Sequence, residues 1–194
     1  MAYLPREQRR AAIVDAAASV ALRSGLASVT ARTVADALGG SPGLIHQHFR
    51  SMTELQIEAW QASVAAQLDD FAASTRKGAD ALTDFFGHHL DPAGVAALGL
   101  WADAWAHALR TPAFADAFAE TVESAIRALQ AADPRISAVE ARRALLLALA
   151  LAGMSRIAPD HYPPSTVAAL AGIPSPGDTQ GDATADRSST PPPR

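Results

Sequence analysis

The 194-residue sequence has no cysteine, which excludes disulfides and thiolate metal sites. Aromatic residues make up only 6%, and alternating β-branched runs are missing, so little favours strand. The longest apolar run, Ala144 to Met154, is 11 residues, short of the roughly 20 that span a bilayer. The opening MAYLPREQRR lacks the apolar core of a signal sequence. These gaps together predict a soluble, cytoplasmic protein with no membrane partner. The GxSxG, HExxH and GxGxxG patterns are absent too, so no catalytic motif is present, no cofactor is implied and no enzyme is expected.

What the chain does have is alanine, the best helix former, within a 49% hydrophobic composition. The fold class expected is all-α. Net charge is −4, unevenly spread. Residues 1–52 carry six arginines against Glu7, Asp15 and Asp36, giving +3. Residues 53–194 carry ten basic against seventeen acidic groups, giving −7. A mildly basic head on an acidic body suits a nucleic-acid-reading end whose other end has a different task.

The stretch TARTVADALGGSPGLIHQHF, residues 30–49, concentrates the signals. Thr30 is a candidate cap, and Val29 with Val34 has the spacing of a hydrophobic staple. Gly39-Gly40 stops the helix. Ser41-Pro42 opens another, with proline where its missing N–H costs nothing. Two short helices joined by a glycine turn form a helix-turn-helix. In the second, Ile45 and Phe49 can face inward, which leaves Leu44, His46, Gln47 and His48 outward. That outward set has donors, an acceptor and an apolar tip but no carboxylate, as suits a helix in a DNA major groove.

Pro5 to Ser24 reads as a first helix closed by Gly25, with Arg6, Arg9 and Arg10 in its first turns for phosphate contact or for solvent. Ser51 to Glu54 reads as a capping box opening a fourth helix with the stripe Ile57, Trp60, Val64, Leu68 and Phe71, broken at Arg76-Lys77-Gly78. Further helices are expected over residues 79–90, after Asp91-Pro92, after Thr111-Pro112, after the capping box Ser137 to Glu140, and from Ser165 to Ala171. The run Ala144 to Met154 is apolar on every face, so its own core should cover one side and a partner subunit the other. From Gly172 onward, five prolines, three glycines and only three apolar residues in 23 predict a disordered tail.

On Ala12-Ile13, Ala16-Ala17, Gly25, Thr30, Val34-Ala35, Leu38-Gly39, Ser41 to Gly43, Ile45, His48-Phe49, Ser51 and Leu55, the first 60 residues resemble the DNA-binding domain of the TetR family of transcriptional regulators. The rest is similar mainly in being helical, with Trp101 to Phe118 loosely like AcrR- and BetI-like effector domains. The resemblance implies an N-terminal three-helix helix-turn-helix domain over residues 1–52, a helical effector-binding and dimerisation bundle over 53–171, and the tail 172–194. It also implies a homodimer on a two-fold-symmetric double-stranded DNA operator and a small-molecule effector, whose identity stays open, in each body. Repressor is the expected mode of regulation. Two departures stand out: the family usually has tyrosine where this chain has His46, and lysine where it has Met52. Losing the lysine should weaken one phosphate contact per head. Backbone amides at the start of helix four, with Arg50, are expected to meet a phosphate instead.

Carried onto this sequence, the DNA contacts are Thr30, Arg32, Ser41, Pro42, Gly43, Leu44, His46, Gln47, His48 and Arg50. Arg32 would take a guanine edge or a phosphate, Gln47 an adenine and Leu44 a thymine methyl. His48 would take a phosphate. The plainer readings are a surface arginine and a core leucine. Candidate effector contacts are Phe85, Phe86, His89, Trp101, Trp105 and Phe118, aromatics that could equally fill the core. Asp103, His88 and His107 are further polar candidates. The pairs Asp84-His88 and Asp103-His107 have the i,i+4 spacing of a chelate. The alternative function is a helical dimer acting through protein or metal binding without sequence-specific DNA recognition.

Overall fold

The computed structural model describes residues 5–75, 80–89 and 92–172, all of them in helices, turns and short connections. Helix α1, Arg6–Ser24, buries Ile13, Ala17, Val20 and Ala21 along one stripe. It ends at Gly25, whose φ of 83° favours glycine. A second reason for glycine is space: a Cβ here would lie 3.0 Å from the Asp103 carboxylate. That carboxylate accepts the Leu26 N–H at 2.6 Å, tying the 3-10 turn Leu26–Ser28 to a helix of the body.

Helix α2, Ala31–Leu38, starts at Thr30 as the sequence predicts. The cap is reciprocal: Thr30 Oγ1 accepts the Thr33 N–H and Thr33 Oγ1 accepts the Thr30 N–H. Val29 and Val34 are fully buried, consistent with the staple. Gly39 closes α2 in the left-handed region at φ 65°. Helix α3, Pro42–His48, begins with proline at its first turn, but the Ser41 hydroxyl makes no capping bond. The fixed φ of proline is what starts this helix.

Helix α4, Met52–Ser74, packs on α1 and, in the body, on the helix Pro112–Ala132. Ser51 Oγ accepts the Glu54 N–H, yet the expected capping box is incomplete. The Glu54 carboxylate reaches one residue further back, to the Arg50 N–H at 2.9 Å. Two cations, Arg10 and Arg50, hold it there. The Gln56 amide donates to the carbonyls of Leu26 and Val29, so α4 also secures the turn between α1 and α2.

The body is α5, Ala81–His89; α6, Pro92–Ala108; α7, Pro112–Ala132; α8, Ala138–Ile157; and α9, Pro164–Ala171. Asp80 caps α5 by accepting from the Leu82 and Thr83 N–H groups. The expected break at Arg76 to Gly78, the Asp91 cap and the tail after Gly172 lie outside the described residues. Ser137 and Glu140 form the predicted reciprocal box at the start of α8. Tandem prolines start α9: Pro163 is its cap, two residues ahead of the expected Ser165. In α8, the chain's own core covers Ala144, Leu145, Ala148, Leu149, Leu151 and Ala152. More of the apolar run is therefore covered from within than the sequence suggested. An apolar line stays exposed: Val139, Leu146, Ala150 and Ile157.

Trp60 is the joint between the two halves. It is fully buried and packs edge-on to Trp101 at 4.8 Å and stacked on Phe118 at 5.8 Å. Its Nε1–H donates to Thr121 Oγ1 at 2.9 Å, and the Thr121 hydroxyl donates on to the Phe118 carbonyl. Among the described residues no helix is long and apolar enough to cross a membrane.

This joint generates an asymmetric expectation. Thr121→Val leaves the indole N–H buried without an acceptor and should cost about 1–3 kcal/mol. Trp60→Phe loses the donor together with part of the packed ring. In the double variant, Trp60→Phe with Thr121→Val, the combined loss should be smaller than the two single losses added, as urea denaturation of all four proteins would reveal.

Candidate nucleic-acid interface and body cavity

Local spacing orients α3. Ile45 is fully buried and Phe49 nearly so, which turns Ser41, Pro42, Gly43, His46 and Gln47 to solvent. Leu44 is intermediate: it packs partly on the core and lies over Gly40, where a Cβ would sit 3.5 Å from its Cδ2. The exposed face of α3 thus carries an imidazole, a carboxamide and part of a leucine. No carboxylate lies on it.

Thr30 is exposed, but its hydroxyl is engaged in the α2 cap. Arg32 is 87% exposed, with only a 4.0 Å approach to Asp36, so its guanidinium is free to reorient. Arg50 is 94% exposed. Its backbone N–H donates to Glu54 just ahead of the Ser51 cap of α4. Five of the ten expected DNA contacts therefore lie exposed on α3 and in the turn before it, with Arg32 and Arg50 exposed to either side.

The three early arginines divide. Arg10 pairs with Glu54 and Glu58 of α4, and its guanidinium lies 4.2 Å from the centre of the Phe49 ring. It is a clamp joining α1, the end of α3 and α4, and its charge is already matched. Arg6 and Arg9 have no carboxylate partner among the described residues. They flank His48, whose Nδ1 is buried without a hydrogen-bond partner. Burial holds the His48 pKa below its ordinary value, and the positive charges of Arg6, Arg9 and Arg10 lower it further. This corner is cationic and half-desolvated, which is the chemistry that meets a phosphate. Neither the Arg10 clamp nor the Gln56 support is legible in local sequence, because their partners are far away along the chain.

In the body, the expected effector residues separate. Phe85 and Phe86 are buried, and Phe86 lines a cavity of about 250 Å³ between α6, the end of α8 and α9. Trp101 and Phe118 pack in the Trp60 cluster, with the Trp101 Nε1–H donating to Gln67 Oε1 at 2.9 Å. Trp105, one turn from Trp101, is 40% exposed. His88 and His89 lie outside the residues whose side chains are described. Asp103 accepts the Leu26 N–H and also lies close enough to His107 to act on its charge. The His107 ring meets Phe114 edge-on at 4.8 Å, and burial lowers its pKa. Among the described residues no three His, Asp or Glu side chains cluster to hold a metal. The sequence missed Leu98, Arg156, Tyr162 and Val167 of the cavity wall, having read residues 159–164 only as a break.

Residues 13–59 match the family model of bacterial regulatory proteins, tetR family. The match covers α1 from Ile13 onward, the 3-10 turn, α2, α3 and the first turns of α4. No curated protein matches the chain. Among solved structures, the chain is similar to a transcriptional regulator from Rhodococcus sp. Rha1, at 27% identity over 87% of this chain and 92% of that one, with a TM-score of 0.65. It shares its fold with the multidrug binding protein EbrR complexed with proflavin, at 22% identity over 84% and 98% of the two chains and a TM-score of 0.63. It also shares its fold with a Saccharomonospora viridis protein in complex with choline, at 18% identity over 86% and 94% and a TM-score of 0.66. With this head and this body, the chain carries a tetR-type DNA-binding domain over residues 13–59 and is similar over most of its length to a solved transcriptional regulator.

Proposed function

We propose that the chain is a homodimeric repressor that binds a palindromic operator through two α3 helices and leaves it when a small molecule enters the body. The observation that carries this reading is the face of α3, polar and carboxylate-free outside, anchored by Ile45 and Phe49 inside. In this reading Gln47 and Arg32 read base edges, and the exposed part of Leu44 meets a thymine methyl. His46, Ser41 to Gly43, Thr30 and Arg50 position the helix along the backbone. His48 with Arg6 and Arg9 takes a phosphate. The division into head 1–52, body 53–171 and tail 172–194 follows the same reading, with α4 running from head into body.

The exposed apolar line Val139, Leu146, Ala150 and Ile157 on α8 supports a second copy docking there, with α3 of each subunit facing the same duplex. The ligand-bound fold neighbours support a small-molecule effector. Helix α6 connects cavity to head: Leu98 lines the cavity and Asp103 holds Leu26. A ligand that favours a shifted α6 would move the 3-10 turn and, through Gln56, the start of α4. For a nearly complete switch, it must bind the released state more tightly by about 5.5 kcal/mol.

Two measurements test the DNA assignments. In gel shifts over a panel of duplexes, Gln47→Ala should lose about 1–3 kcal/mol of discrimination at one base position. His48→Ala should weaken all duplexes alike and lower the salt slope by about one. The reverse pattern would remove both roles.

The second measurement is a pH series. The folded-state pKa values of His48 and His107 lie below the ordinary 6.5. Below that pH the unfolded chain binds more protons than the folded one. The stability of the free protein is thus whole above about pH 6.5 and declines as pH falls toward the folded-state values. DNA affinity should move the other way. A phosphate beside Arg6 and Arg9 favours protonated His48, so binding takes up a proton and tightens as pH falls from about 8 to 6. His48→Gln should flatten the affinity profile.

A further inference from the structure

The walls of the body cavity carry a charge bias that points to its ligand. Phe86, Leu98, Leu151 and Val167 make it apolar, and Pro159, Pro163 and Pro164 close one side. Prolines bring no backbone N–H, so that side offers no donors. The donors that remain are Arg156 and the Tyr162 hydroxyl, because the Ser155 hydroxyl already donates to the Ala152 carbonyl. Among the described lining residues there is no carboxylate.

Arg156 is placed with care. Its guanidinium lies against α6 at Gly99, where a Cβ would come within 2.7 Å of Nη1. It has no ion pair among the described residues. A guanidinium at the mouth of an apolar cavity, without a counter-ion, is a poised site for a carboxylate, which it can meet with two parallel N–H donors. The neighbouring cavity of about 330 Å³ shares the Phe86 wall, but there the cation, Arg143, already acts on the Glu140 carboxylate, and Asp80 adds a second negative charge to the lining.

We propose that this cavity binds a small amphiphilic monocarboxylate, its apolar body between Phe86, Leu98, Leu151 and Val167 and its carboxylate on Arg156 and Tyr162. The volume of about 250 Å³ exceeds the roughly 150 Å³ apolar cavity that takes up benzene, so a body of about eight carbons fits. The proposal rests on the effector reading above, and it names the chemical class of that effector. Binding would draw Arg156 from its bed on Gly99, on the same helix that holds Leu26 through Asp103.

Calorimetric titration of the full chain with octanoate, octanol and octylamine separates charge from apolar fit. Octanoate should bind about tenfold or more tighter than octylamine. Arg156→Gln should weaken octanoate about tenfold and leave octanol within about twofold. Ala152→Leu, which fills the cavity, should weaken both, with thermal melts confirming that each variant folds. Octylamine binding as tightly as octanoate, or octanoate unmoved by Arg156→Gln, overturns the carboxylate assignment while the effector reading stands. If none of the three binds, the cavity is not the site. A parallel gel shift keeps the readings apart: octanoate that binds through Arg156 yet leaves the DNA complex intact supports the ligand class and sinks the effector role.

Discussion

The burial of Trp60 is the constraint on which the two halves of this molecule depend. Below it, α4 packs on α1, and Arg10 bridges them through Glu54 and Glu58. Above it, α4 packs on α7, and the Trp60 ring is held by Trp101, Phe114 and Phe118. A single helix is thus gripped by the head at one end and by the body at the other. Movement at either end is felt at the other because packed interiors repack in steps and do not stretch.

Helix α3 contributes little to this framework beyond Ile45 and Phe49, and it has only seven residues. A helix that short has no stability of its own. Its position comes from proline at one end, the Gly39 turn, and the Phe49 ring under the Arg10 guanidinium. Because so few of its side chains are needed for packing, most can face a ligand. The same economy explains why Arg6 and Arg9 keep unmatched charge while Arg10 does not. A cation that faces α4 finds carboxylates, and one turned outward keeps its charge for another partner.

Much of the head was legible in the sequence, because its signals are local. Thr30, Gly39 and Pro42 act on neighbours within four residues, and the inward pair Ile45 and Phe49 follows from helical spacing alone. The Ser51 cap follows from local sequence, but the shift of Glu54 to the Arg50 amide does not, since Arg10 of a distant helix also holds that carboxylate. The body was harder. Trp101 and Trp105 lie on one stripe, yet one is buried under Trp60 and the other faces out, since periodicity says which face is apolar and not how far its cover extends. The cavity drew its polar group from the end of α8 and its stiffest wall from prolines, features that carry no periodic signal.

The account stands on α3 reading base pairs in two copies at once. Selection of bound duplexes from random DNA by the intact chain at low ionic strength tests this most directly. The expected result is an enriched motif with two-fold symmetry and half-sites centred about one helical turn, or a multiple of it, apart. A folded protein that enriches no motif would contradict it.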